Sequence, residues 1–243
     1  MPGVDADAGL PARAGRMRGV TLPAAPLVLL DLDGTLTDSG PGIAASATYA
    51  FTALGLPVPA PAVLRSFVGP PITESFRLHG VPEARVRDAV TEYRRAFRAG
   101  GMYDNALYPG VVDALRRLRG DGCRLALATS KPQVFAEPIC AHFGLDALLD
   151  GVFGAPPDDV PSTKADVIAA ALAGQDGWSP TTTVMVGDRE HDVRGATAHG
   201  IRCVGVAWGY GGEGELERAG AVTVVDTPDA LVAAVRSLVR VAA

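Results

Sequence analysis

Residues 27–38 read LVLLDLDGTLTD. Four apolar residues, Leu27, Val28, Leu29 and Leu30, run straight into Asp31 and Asp33, with Gly34 and Thr35 behind them. So short an apolar run suits a strand covered on both faces better than a helix. Gly34 lets the chain turn sharply as it leaves the sheet. In an open parallel sheet, ligands bind just beyond the carboxyl ends of the strands, so both carboxylates fall where a ligand is expected. Strand side chains two apart share a side. If the extended backbone persists to Asp33, the two carboxylates converge, and like charges that close are costly without a cation. The expectation is a hard cation held by oxygens, Mg²⁺. The competing reading of the same residues is a solvated turn, where Asp and Gly are common.

Outward from this stretch, strands and helices are expected to alternate. Residues 43–54 (IAASATYAFTAL), 72–80 and 82–98 have helical patterns, with breaks at Pro57, Pro61 and Gly69-Pro70-Pro71. No strand is expected between about 41 and 105, so residues 39–105 are read as an all-helical cap inserted into the alternation. The alternation resumes with a helix after Pro109, a strand over 124–128 ending at Thr129-Ser130-Lys131, and a helix over 132–143 closed by Gly144. A short strand at 148–153, a helix at 164–173, a strand at 182–186 running into Gly187-Asp188, a helix at 193–199, strands at 202–206 and 222–225, and a helix at 229–239 complete it. Such alternation implies parallel crossovers and a doubly wound, Rossmann-like α/β sheet. The core is then 23–38 with 106–243. Residues 1–22, rich in Gly, Ala, Pro and Arg without periodicity, are read as a disordered tail or as residues upstream of a start at Met17.

The 243 residues are 48% hydrophobic and 20% charged, with a formal net charge of −5. That balance argues against a nucleic-acid module or an acidic membrane surface as partner. An anionic substrate therefore needs a local positive site. Cys123, Cys140 and Cys203 form no CxxC pair, which points to a reducing cytosol and away from a disulfide or zinc framework. No apolar run reaches the roughly 18 residues of a membrane span, and no signal-peptide order is found at the N-terminus. A cytoplasmic monomer or homodimer is the expectation.

Four polar elements fall at comparable places: Asp31 and Asp33 after the first strand, Thr129 and Ser130 at the end of the second, Lys164 opening a helix, and Asp188 ending a strand with Asp192 four residues on. In a parallel sheet these meet at one edge. Together they can transfer a phosphoryl group. A carboxylate attacks phosphorus, a second carboxyl handles the proton, hydroxyl and N–H groups hold phosphate oxygens, and a lysine neutralises charge.

The same motifs resemble the haloacid dehalogenase-like superfamily on its phosphatase side. Asp31-Leu32-Asp33-Gly34-Thr35-Leu36 is similar to its first motif, Thr129 in ATSKP to its second, Lys164 in STKADVI to its third, and Gly187-Asp188 through Asp192 to its fourth. SGPGI, FVGPP, ATSKP, GDREHD and VAWGYG resemble the phosphoglycolate phosphatase-like and 5′-nucleotidase-like members. The resemblance implies Asp31 as nucleophile and Mg²⁺ ligand, and Asp33 as general acid/base with its carbonyl on the metal. It implies Thr129, Ser130, Gly34 and the backbone near Asp33 as the phosphate cradle, with Lys164 holding Asp31 and phosphate. Asp188 would bind metal, with Asp192 supporting. The helical insert would be a lid that reads the leaving group. Halide departs without a proton and an alkoxide does not, so the acid Asp33 favours phosphatase over dehalogenase. A phosphomutase of the β-phosphoglucomutase type and a non-catalytic phosphate-binding protein are the alternatives.

Several residues carry two readings. Arg65, Arg77, Arg94 and Arg95 are a solvated face or contacts for an anionic substrate. His79, His142, His191 and His199 lack metal-ligand spacing. Lys131 serves the phosphate region or caps the next helix. Gly69-Pro70-Pro71 dips toward the site or only breaks a helix. Trp208-Gly209-Tyr210-Gly211-Gly212 is read as a flexible loop that can border the site.

Overall fold

The computed structural model describes residues 25–157, 160 and 162–239. The tail assigned to 1–22 lies outside the described residues. The central strand β1 (Leu27–Leu30) has no exposed side chain, and its residues alternate between two cores. Val28 and Leu30 join one, while Leu27 and Leu29 join the other. This is how a strand covered on both faces reads.

β1 pairs in parallel with β4 (Arg124–Pro132) on one side and β6 (Thr183–Gly187) on the other, with Leu27 opposite both Arg124 and Thr183. Adding β5 (Gly151–Ala155), β7 (Arg202–Val206) and β8 (Thr223–Val225) gives the order β5-β4-β1-β6-β7-β8, parallel throughout. The chain fills β4 and β5 outward on one side of β1, then returns to fill β6, β7 and β8 on the other. The strand order therefore reverses at β1, and a crevice forms outside its carboxyl end.

One face is covered by α5 (Val111–Gly120), α6 (Gln133–His142) and α10 (Pro228–Leu238). The other carries α7 (Lys164–Ala173), α8 (Glu190–Ala198) and the short α9 (Glu215–Ala219). Between β1 and α5 the chain makes α1 (Gly40–Ala53), α2 (Pro61–Arg65), α3 (Ile72–Leu78) and α4 (Glu83–Ala96), the last continuing into a π-helical turn, Phe97–Gly101. Phe51, Phe67 and Phe76 pack among themselves at 5.5–6.2 Å, and Tyr93 and Phe97 carry the aromatic series on to Phe135 of α6. The inserted helices thus share one continuous apolar cluster with the sheet.

Several elements differ from the sequence expectation. Two-residue strands β2 (Thr37–Asp38) and β3 (Ala106–Leu107) pair antiparallel and bracket the inserted helices. Two residues carry no periodicity to read. β4 runs on to Pro132 because the chain stays paired to β5 across an irregularity between Thr129 and Pro132. β5 starts at Gly151, since Leu148 closes a turn onto the Leu145 carbonyl. α8 starts at Glu190, where Asp192 accepts the Arg189 N–H and satisfies a helix-start donor. The glycine-rich residues 208–212 border the site, with the Trp208 indole N–H on the Thr35 carbonyl and the Tyr210 N–H on Asp188, and the short α9, which was not expected, follows them.

Candidate active site

Beyond the carboxyl ends of β1 and β6, one carboxylate oxygen from each of Asp31, Asp188 and Asp192 falls within 4.8 Å of the others. All three residues are buried, Asp188 completely. β1 delivers Asp31, whose N–H donates to Val186 of β6 at 3.0 Å. β6 delivers Asp188, and the first turn of α8 delivers Asp192. Lys164, the first residue of α7, lies on the same face as Leu27, Leu29 and Asp31. Its ammonium is 2.8 Å from Asp31 Oδ1 and 2.6 Å from Asp192 Oδ1, with its side chain 3% exposed. A capping box between Thr163 and Asp166 fixes that helix start.

The electrostatics follow from the count: three carboxylates face one ammonium. Burial, then the charges of Asp192 and Asp31, push the Asp188 carboxyl well above the usual carboxylate range. Burial also raises Asp192, against the opposing pull of Lys164. Burial alone would lower the Lys164 ammonium, but Asp192 and Asp31 outweigh it and hold it above the ordinary lysine value. A site this rich in negative charge is matched by a divalent cation. The donor set is all oxygen, which suits Mg²⁺. Glycines make the room: a Cβ on Gly34 (φ +82°) or Gly209 would run into the Asp188 carboxylate, and one on Gly187 into Asp192. Asp188 Oδ2 is also held by the Tyr210 N–H at 2.7 Å. These residues fit a bound divalent cation.

Asp33 departs from the expectation that its carboxylate converges with that of Asp31. The strand ends at Leu30, and the Leu32 carbonyl accepts the N–H groups of Thr35, Leu36 and Thr37. This tight turn swings Asp33 away, and its Oδ2 sits 2.8 Å from Lys131 Nζ. Gly34 also differs. Its N–H donates to Thr37 at 2.8 Å and is not turned to a phosphate cradle. Thr129 and Ser130 line the small pocket, of about 20 Å³, with Asp31, Asp33, Lys131 and Lys164.

That pocket adjoins a cavity of about 790 Å³ beneath the inserted helices. Phe67, Ile72, Tyr93 and Phe97 wall it from the insert, and Pro132 and Phe135 from the core. Arg77, Arg94, Arg194 and His191 also reach it; Arg65 and Arg95 do not line it. Gly69 (φ +103°) belongs to both pockets, so the Gly69-Pro70-Pro71 loop does dip to the site.

Sequence reasoning did not find Arg189. Its guanidinium donates to Val68 of the insert at 3.0 Å and to Glu215 at 2.8 Å. Nor did it find Tyr210 as a bridge. The Tyr210 hydroxyl bonds Asp38 and accepts the Gly40 N–H, at the start of the inserted helices. Its presence in a glycine-rich turn is the one local signal.

A parallel sheet with carboxylates, a lysine and hydroxyl residues gathered at its switch point defines a phosphoryl-transfer enzyme of the α/β class. A model of the haloacid dehalogenase-like hydrolase family matches residues 28–206, and the chain belongs to that family. The chain is 41% identical over 192 residues to a 5′-nucleotidase of Pseudomonas aeruginosa, covering 79% of this chain and 86% of that protein. It is 45% identical over 185 residues to a protein of Mycobacterium tuberculosis named tyrosine-protein kinase PtkA, covering 76% of this chain and only 63% of that protein. A crystal structure of a predicted phosphatase from Clostridium acetobutylicum superposes with a TM-score of 0.82 at 38% identity, over 88% of this chain and 99% of that one. Within the family the chain is a phosphoric monoester hydrolase. Among the described residues no helix is long and apolar enough to cross a membrane.

Proposed function

We propose that the protein is a Mg²⁺-dependent phosphatase that carries the phosphoryl group on Asp31 and acts on a small soluble phosphomonoester. The observation that carries this reading is the Asp31, Asp188 and Asp192 cluster with Lys164 against two of its members. An Asp31 oxygen attacks phosphorus, and the bond from phosphorus to the ester oxygen breaks. Asp33 gives that oxygen its proton and then takes one from water, which attacks the phosphorus and releases phosphate from Asp31. Lys164 keeps Asp31 oriented and offsets charge on the transferring group. Thr129 and Ser130 hold phosphate oxygens. Asp31, Asp188 and Asp192 hold the ion, with the Asp33 carbonyl. The chemistry a bound Mg²⁺ supplies is relief of the repulsion between carboxylate and phosphate.

The inserted helices act as a lid whose underside reads the leaving group. Of the two candidate substrates, the cavity favours a nucleoside 5′-monophosphate over phosphoglycolate. Its volume of about 790 Å³ far exceeds a two-carbon acid, and Phe67, Tyr93, Phe97 and Phe135 offer ring faces among a lining that is otherwise mixed. Two arginines at its margin are already paired, Arg77 with Glu83 and Arg194 with Glu190, each at 2.8 Å. The aromatic walls, and the name of the mycobacterial relative, make phosphotyrosine the second ester to compare. The setting we propose is cytoplasmic, as monomer or homodimer, without nucleic-acid or membrane partner.

Phosphate release over nucleoside monophosphates, phosphotyrosine and phosphoglycolate, with and without Mg²⁺, tests this. Nucleotides should exceed phosphoglycolate in kcat/KM by at least about tenfold, and chelator should abolish turnover. Undiminished hydrolysis in chelator, or by Asp31→Asn, would remove the mechanism. Preference for phosphoglycolate would remove the substrate assignment alone. Phosphate exchange between substrate positions with little free phosphate would favour the phosphomutase, and ligand binding without turnover the non-catalytic alternative.

A further inference from the structure

Lys131 is a buried lysine that the chemistry above leaves without a task. Its side chain is 5% exposed, and its ammonium sits 2.8 Å from Asp33 Oδ2. The other oxygen of that carboxylate, Oδ1, is buried and has no hydrogen-bond partner. Asp33 and Lys131 both line the small pocket that Asp31 lines. Lys131 therefore fixes one oxygen of a carboxylate that lines the pocket.

Local backbone puts Lys131 there. β4 shifts its register against β5 between Thr129 and Pro132, and such irregularities re-aim side chains. The Lys131 N–H donates to Thr129 Oγ1 at 3.2 Å, tying it to the phosphate-facing residues. The ammonium also lies 4.8 Å from the centroid of the Phe97 ring, an attractive arrangement for a desolvated cation. Phe97 opens the π-helical turn after α4. Tyr93 stacks on it at 5.5 Å, and Phe135 meets it edge-on at 5.2 Å. One ring of the insert thus covers the cation that holds Asp33.

We infer that Lys131 is a positioning residue for ester cleavage. It holds the Asp33 carboxyl in one orientation at the pocket shared with Asp31, and Phe97 links that orientation to the inserted helices. The inference rests on the roles proposed above for Asp31 and Asp33. Lys131 acts through Asp33, and no reacting bond is made to it.

Phenyl phosphate and p-nitrophenyl phosphate make the test. Their shapes are similar, but the nitro group stabilises the departing phenolate, so less acid assistance is needed. With full-length protein and Mg²⁺, kcat/KM is measured on both esters for wild type, Lys131→Met, Lys131→Arg and Phe97→Leu. Lys131→Met should lose at least about tenfold more on phenyl phosphate than on p-nitrophenyl phosphate, and Lys131→Arg should recover most of that difference. Phe97→Leu should show the same selective loss at about two- to threefold. Equal losses on the two esters would overturn the inference and leave Lys131 a packing residue. Should Lys131→Met fail to fold by circular dichroism, Phe97→Leu decides: an unchanged ratio of the two esters overturns it. Absence of wild-type turnover of both aryl esters and of nucleoside monophosphates would sink the phosphatase reading, and this inference with it. Turnover with equal losses sinks this inference alone.

Discussion

At the carboxyl ends of β1 and β6, Asp31, Asp188, Asp192 and Lys164 are buried and bonded to one another or to backbone. Across Lys131, the underside of the insert is a wide cavity with Phe67, Tyr93, Phe97 and Phe135 among its lining residues. The first region is dense in charge and short of room, down to glycines that a single Cβ would spoil. The second is roomy and poor in unpaired charge. Chemistry that must repeat on every substrate is built from strand ends and helix starts, where backbone fixes the side chains. In the function proposed above, discrimination between leaving groups falls to side chains on the insert.

The comparison breaks most visibly at Asp31. Asp31→Asn keeps the shape of the cluster and should lower kcat by at least about 10⁴-fold. If activity survives while the fold is intact, the dense region is not the reacting one. Phe76→Ala addresses the other region. Phe76 is fully buried within the insert and does not line the cavity. Its loss should cost about 3–5 kcal/mol in urea unfolding and leave the Mg²⁺ concentration for half-maximal activity unchanged. A large shift in that concentration would show that the two regions are not separable.

Glu215→Gln is a smaller change. Glu215 accepts the Glu190 and Gly212 N–H groups and holds Arg189, which reaches Val68. The variant should cost about 1 kcal/mol and speed hydrogen exchange at residues 66–72, with kcat nearly unchanged. pH sharpens the same contact. Burial would raise the Glu215 carboxyl, but the two N–H groups and Arg189 outweigh it and hold its pKa below the ordinary glutamate value. A depressed folded-state pKa gives stability that is present above the unfolded pKa and lost as pH falls through the folded one. Protection at 66–72, after correction for the intrinsic pH dependence of amide exchange, should therefore fall on acidification below the usual glutamate range in wild type, and stay flat there in Glu215→Gln.

The same contrast explains what could be read in advance. β1 and β6 are apolar runs whose ends carry Asp31 and Asp188, so these strands were legible from pattern, while the ligand roles of Asp188 and Asp192 came from the family resemblance. α7 began at Lys164 as expected, because its capping residues are local. The turn at Leu32 that swings Asp33 onto Lys131 was not legible, since it depends on which carbonyl three N–H groups share. Gly34 looked like a phosphate donor, although its N–H is spent within the turn. Arg189, Glu215 and Val68 come together only through the fold, as do Lys131 and Phe97. β2, β3 and α9 were too short to show a period.

The central claim is that Asp31 carries the phosphoryl group. It is tested most directly by rapid acid quench of the Mg²⁺-loaded protein with a nucleoside 5′-monophosphate, followed by mass spectrometry of its peptides. The account predicts a hydroxylamine-labile phosphoryl group on Asp31, absent when Mg²⁺ is chelated. Productive turnover with no label on Asp31, or with label on another residue, would contradict it.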